Sequence, residues 1–173
     1  MSLDQNTRNL LAVHRPRSED VWYGPWTSIL TTLFPPVAGY VVTPQRKPYD
    51  EDDATSRAPD FILEVTRIEG PNLDVRTVLT VEIKKSQHWP RIIDRLFGQL
   101  NRQVDTAFAG SARDKLYWIA VIGPHWGYGM KEDDGQDEDV NRGLTPLIEW
   151  HDTTHDDASL ADFQVLTSLV HAL

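Results

Sequence analysis

Apolar and polar positions along this chain repeat with two periods, and the places where the period changes mark out its elements. Trp22, Trp26, Ile29, Leu30 and Leu33 recur at helical spacing. Ser18-Glu19-Asp20 precedes them, a start whose hydroxyl caps free amides and whose acids suit the positive helix end. Pro35-Pro36 ends the run, and Gly24-Pro25 within it predicts a kink or a start at Pro25. Gly39 to Thr43 is short and β-branched, hence a strand, and the polar, acidic stretch from Gln45 to Ala58 reads as a loop. From Asp60 to Ile68 the period falls to two, with Phe61, Leu63 and Val65 on one face and Asp60, Glu64 and Thr66 on the other. Arg76 to Lys85 alternates again: Leu79, Val81 and Ile83 oppose Val78, Thr80, Glu82 and Lys84, and Lys85 faces away from Lys84. Glu69-Gly70-Pro71-Asn72 between the two runs is turn chemistry, so they are expected to form a hairpin.

Helical spacing returns after Pro90, which suits a first helical turn. Ile92, Leu96, Leu100, Val104 and Phe108, joined by Ile93 and Phe97, make one broad apolar face. Arg91, Arg95, Gln99 and Arg102 fall on the opposite face, and Gln103 on the border. Leu116 to Ile122 is a nearly continuous apolar run, the mark of a central strand covered on both sides. Thr145 to Trp150 is expected as a peripheral strand. Leu160, Phe163, Leu166, Leu169, Val170 and Leu173 predict a closing amphipathic helix. The order is helix, strand, hairpin, helix, strand and a C-terminal strand and helix addition. That is an α/β architecture, a mixed central sheet flanked by helices.

Length changes the picture little: 173 residues suit one domain, here 18–173 behind an N-terminal arm of residues 1–17. Within it the core spans about 18–123 and the addition 124–173. The absence of Cys excludes disulfides, thiolate metal sites and thiol nucleophiles. A mean hydropathy of −0.43, with no long apolar run, argues against a membrane span. Met1 to Pro16 lacks the apolar core of a secretory leader, so an intracellular setting, cytoplasm or nucleus, is expected.

The net charge of −9 opposes indiscriminate coating of a polyanion. The acidic runs at 50–53, 132–139 and 152–157 read as solvated loops. Between Lys84 and Arg102, however, Lys84, Lys85, Arg91, Arg95 and Arg102 face only Asp94. One face is therefore suited to meet an anion.

The candidate chemistry lies on the hairpin. Glu82 and Lys84 share one strand face about 6.5–7 Å apart. A hairpin symmetric about Pro71 would set Asp60 opposite Glu82, on that same face and about 5 Å away at Cβ. Two carboxylates so close repel unless a cation lies between them, and a hard, oxygen-seeking Mg²⁺ answers that need, with Mn²⁺ as a substitute. Lys84 beside it would orient or deprotonate a water, or neutralise charge developing on phosphorus.

Pro59-Asp60 followed by Glu82-Ile83-Lys84 resembles the signature of the PD-(D/E)XK nuclease superfamily, and the order of elements resembles its restriction-endonuclease-like αβββαβ core over roughly residues 18–123. In character the chain is similar to small stand-alone fungal members. The resemblance implies a Mg²⁺-dependent nuclease that hydrolyses phosphodiester bonds, in DNA rather than RNA. Asp60 and Glu82 would ligate metal, with the Ile83 carbonyl as a further ligand, and Lys84 would serve catalysis. It also implies an acid on the first helix, for which Glu19 is the candidate. A Gln is implied on the helix after the catalytic strand. Gln99 and Gln103 both qualify, and Gln103 is the better aimed. Arg91, Arg95, Gln99, Arg102 and His88 would meet the nucleic-acid backbone. Cutting both strands would need two sites, which suggests a homodimer. The alternative is a catalytically inactive module of the same fold that binds protein or nucleic acid.

Other signals carry less. His151-Asp152-Thr153-Thr154-His155 has the spacing of a helical zinc site, but its Thr and Asp content favours a surface loop. Gly123 to Gly129 is too irregular for a dinucleotide loop. Its aromatics are expected to cover an apolar edge rather than stack on a base. Trp22, Tyr23 and Trp26 read as core.

Overall fold

A computed structural model of the chain describes residues 20–46, 61–70, 72–84, 92–109, 114–132 and 143–173. The first helix, α1 (Asp20–Leu33), continues through Pro25 rather than starting there. It buries Trp22, Trp26, Ile29, Leu30 and Leu33, the residues whose spacing predicts it. A short 3-10 turn, Pro36–Ala38, follows. It ends on Gly39 at φ 84°, a left-handed position that glycine adopts without a Cβ penalty. Six strands then form one sheet: β1 (Tyr40–Arg46), β2 (Phe61–Glu69), β3 (Asp74–Lys84), β4 (Lys115–Ile122), β5 (His125–Glu132) and β6 (Thr145–Pro146). Helix α2 (Ile93–Ala109) connects β3 to β4, and α3 (Asp157–His171) closes the chain.

The strands lie in sequence order, and every neighbouring pair is antiparallel except β3 and β4. Parallel neighbours need a crossover, which is the part α2 plays. The architecture is α/β, a mixed sheet with helices on both faces. On one face, α1 and α3 pack against Leu63, Val65, Leu79, Val81, Ile83, Ile119 and Val121. On the other, Leu96, Leu100, Val104 and Phe108 of α2 pack on Leu116, Trp118, Ala120 and Ile122. The apolar run of β4 is thus buried from both sides, as its composition implies.

Two features depart from the sequence pattern. β5 covers most of the Gly123–Gly129 stretch, to which the periodicity assigns no element. Its glycines are there because aromatic rings take the space beside them. A Cβ at Gly129 would collide with the Trp118 indole and the Thr145 carbonyl, and one at Gly127 would rest on Trp150. On the opposite side of the same strand, Trp126 stacks on Phe163 with centroids 4.2 Å apart and donates through Nε1 to the Thr153 carbonyl at 2.9 Å. The peripheral strand is also shorter than expected, two residues instead of six.

The second departure is the hairpin register. A four-residue connection, 70–73, joins β2 to β3, with Gly70 and Leu73 both at positive φ. The pairing then slips between Val65 and Thr66: Thr66 faces Thr77, whereas Val65 faces Leu79. Val78 is the extra residue, and it joins Leu79 in the core on the α1 side instead of alternating away. Turn and bulge together move the register by two residues. Glu82 therefore lies opposite Ile62, not opposite Asp60.

Candidate functional site

The face of β3 beneath α2 carries Thr80, Glu82 and Lys84 in succession, and all three are buried. Ala120 is the β4 partner of Glu82, so the neighbouring strand contributes only a methyl group at that level. The Glu82 carboxylate is 1% exposed and the Lys84 ammonium 5%. Nζ of Lys84 lies 2.9 Å from Glu82 Oε1. From α2, Gln103 Nε2 donates to Glu82 Oε2 at 2.5 Å. The carboxylate is thus held at one oxygen by a cation from its own strand and at the other by an amide from the crossover helix.

This is a different object from an exposed ion pair on a sheet edge. Moving two charges out of water carries a penalty of several kcal/mol per ion, recovered only where partners are close and well aligned. The same region holds three polar atoms without that compensation. Thr80 Oγ1, Gln99 Oε1 and Gln103 Oε1 are buried and have no hydrogen-bond partner among the described residues. Each such group costs about 1–3 kcal/mol. For Gln103 the arrangement is forced: a carboxylate only accepts, so the amide must turn its NH₂ toward Glu82 and leave its oxygen behind.

A second polar tie holds the other flank of α2. Lys131 on β5, also buried, donates to Asn101 Oδ1 at 2.9 Å and forms a short ion pair with Asp105. Asn101 in turn donates to Asp105 Oδ2 at 3.2 Å. The crossover helix is pinned to β3 by Gln103 and to β5 by Asn101 and Asp105.

The sequence-expected residues are distributed as follows. Glu82, Lys84 and Gln103 come together, and Ile83 lies between the first two with its side chain in the opposite core. Arg95 and Arg102 are exposed on the outer side of α2. Gln99, expected beside those arginines, instead has a buried amide oxygen. Glu19, Asp60, His88 and Arg91, with Lys85, lie outside the described residues. Thr80, buried on the same face, escapes the motif; its only signal is its spacing, two before Glu82 on the strand.

Among the described residues, His125 and His151 sit elsewhere. His151 stacks on Trp126 at 4.9 Å and its Nε2 lies 2.7 Å from Asp162, while His125 Nδ1 lies 3.1 Å from Asp152. Trp126 belongs to the core on the face away from Glu82. Ser159, near this group, is fully buried and donates to the Thr153 carbonyl at 2.5 Å, so it is a structural hydroxyl. Here burial also pushes the Tyr128 phenol up to about 12, with the Asp162 charge adding to it.

The donor chemistry around Glu82 can be tested against a divalent ion. Among the described residues no three His, Asp or Glu side chains gather into a chelating cluster. Mg²⁺ does not require one, since it takes one or two carboxylates and retains several waters. Both carboxylate oxygens of Glu82 meet nitrogen donors, Lys84 Nζ at one and Gln103 Nε2 at the other, and the oxygens nearby are the carboxylate itself, the Gln103 amide oxygen and the Thr80 hydroxyl on the same strand face. With no imidazole or sulfur in this set, it fits a hard cation. No helix among the described residues is long and apolar enough to cross a membrane. No family model, curated protein or solved structure matches the chain.

Proposed function

We propose that the chain is a Mg²⁺-dependent nuclease of the PD-(D/E)XK type, hydrolysing phosphodiester bonds of nucleic acid, DNA in preference to RNA. One observation carries the reading: Glu82 and Lys84, two residues apart on β3, meet Gln103 from the helix that follows. The element order supports it, with a three-strand antiparallel meander, a crossover helix and a parallel fourth strand behind α1. Asp60, Glu82 and the Ile83 carbonyl would hold the metal, which when bound supplies a Lewis acid and a more acidic water. Lys84 brings the ammonium that orients the attacking water or steadies the charge gathering on the phosphoryl oxygens. Gln103 fixes the Glu82 carboxylate in place. Arg95 and Arg102, exposed on α2, offer cations to the flanking phosphates. In the reaction, water oxygen bonds to phosphorus, the P–O bond to the leaving oxygen breaks, and that oxygen takes a proton.

The second reading is a module of this fold that binds without cutting. Its supporting observation is burial: at 1% and 5% exposure, the Glu82–Lys84 pair resembles a structural tie as much as a reactive centre. Incubation of purified chain with plasmid DNA and with RNA separates the two. The nuclease reading expects cleavage with Mg²⁺, none with chelator, and a loss of at least about 100-fold in Lys84→Met and Glu82→Gln chains that remain folded by circular dichroism. Equal cleavage by either variant, or none by the native chain at any Mg²⁺ or Mn²⁺ concentration, overturns it.

A further inference from the structure

Helix α2 packs on β4, and its polar contacts reach past that strand on both sides. On one flank Gln103 donates to Glu82 of β3 at 2.5 Å. On the other, buried Lys131 of β5 donates to Asn101 at 2.9 Å and pairs with Asp105. Positions 101 and 105 stand about 160–200° around the helix from position 103, at about 100° per residue. Leu100 and Val104, buried against the sheet, lie between the two flanks. The two ties therefore act on opposite sides of one axis, and each limits the roll that would loosen the other.

Apolar packing alone sets that roll loosely, because dispersion contacts are individually weak and not directional, whereas a hydrogen bond weakens steeply with angle. A side chain reaching about 5–6 Å from the helix axis moves about 1 Å for a roll of about 10°. A shift of about 1 Å in a group that positions the chemistry costs up to about 100-fold in rate. We propose that Lys131 is a positioning residue of the Glu82 site: by holding Asn101 and Asp105 from β5, it fixes the roll of α2 at which Gln103 meets the carboxylate. Its catalytic consequence rests on the nuclease reading above, while the mechanical link rests on the contacts themselves.

Two measurements on the full chain test it. The first needs neither metal nor substrate: exchange of the Gln103 side-chain amide protons with water, read by NMR from the resonance that Gln103→Met removes. Lys131→Met is expected to speed that exchange at least about tenfold, as the grip on Glu82 opens more often. Asn101→Ala keeps the Asp105 ion pair, so it should give a smaller rise in the same direction and serves where Lys131→Met does not fold. Lys115→Met, which cuts an exposed pair between β4 and β5, should leave the exchange unchanged. The second is a double-mutant cycle on Mg²⁺-dependent plasmid cleavage. Lys131→Met should lower kcat at least about tenfold with little change in KM, and lose that effect in the Gln103→Met background, because it acts through that amide. A lysine that only stabilised the fold would lower activity equally in both backgrounds. Native exchange at Gln103 in both folded variants, or additive losses in the cycle, overturns the positioning role and leaves the nuclease reading standing. No cleavage by the native chain overturns the nuclease reading and the catalytic consequence with it, and the exchange measurement still decides the mechanical link.

Discussion

The indole of Trp118 fills the space that a side chain at position 129 would need, so the glycine of β5 and the tryptophan of β4 are one packing decision. Gly129 pairs directly with Trp118 across the two strands. A methyl group there would also press on the Thr145 carbonyl of β6, which is backbone and cannot swing aside. Gly129→Ala is accordingly expected to cost about 1–3 kcal/mol through overpacking. Gly127→Ala is the internal control. Its Cβ would sit 3.7 Å from the Trp150 ring, an ordinary contact, and should change stability by well under half as much. Urea unfolding of both variants checks the contrast, and equal costs would refute it.

The Glu82–Lys84 pair predicts an asymmetry in stability that is separate from catalysis. Removing one member deprives the other, still buried, of its nearest opposite charge, a loss of up to about 3–5 kcal/mol. Replacing both with apolar residues of similar size is often neutral or stabilising. Lys84→Met and Glu82→Leu should therefore each destabilise, while the double variant recovers most of the loss. Here the Gln103 amide would lose its acceptor in the double variant, so recovery should be completed by adding Gln103→Leu. A double-mutant cycle by urea unfolding measures this coupling, and additive losses would show that the two charges are not energetically linked.

Asp156 links the start of α3 to acid stability. Its carboxylate accepts from the Ser159 backbone N–H at 2.7 Å, capping the helix. That hydrogen bond, aided by the nearby His151 and His155 charges, lowers its pKa below the ordinary value of 3.8. A lowered carboxylate contributes stability above its unfolded pKa and loses it as pH falls through the folded one. The native chain should thus lose stability below about pH 4 more steeply than Asp156→Asn, whose amide oxygen keeps the cap without titrating. Asp156→Ala should lose about 1 kcal/mol at neutral pH. Thermal unfolding across an acid series compares the three, and parallel curves for native and Asn chains would remove the linkage.

What could be read from the chain depended on how local its cause was. The alternation in β2 and β3, the apolar face of α2 and the doubly buried run of β4 are written in residues that sit near one another in sequence. Glu82, Lys84 and Gln103 were legible for that reason, being a strand triplet and a helix-border amide. β5 was not, because glycine disfavours strands and its justification lies in Trp118 and Trp150, distant residues that fold against it. The hairpin register failed by two residues, one at the turn and one at the bulge. Val78 looks like one more alternating position, yet the core on the α1 side draws it in beside Leu79 and displaces every pairing beyond it.

The parallel seam between β3 and β4 has a consequence for when the charged pair comes into being. The β2–β3 hairpin closes through a four-residue connection, whereas the β3–β4 pairing waits for some thirty intervening residues to loop back, and contacts between residues far apart in sequence form slowly. Until that loop closes, Glu82 and Lys84 remain hydrated, and Gln103 has no carboxylate to grip. Desolvation of the pair is therefore a late event, coupled to the last long-range step of assembly. A nascent or partly unfolded chain carries Glu82, Lys84 and Gln103 but not their dry, prearranged contact.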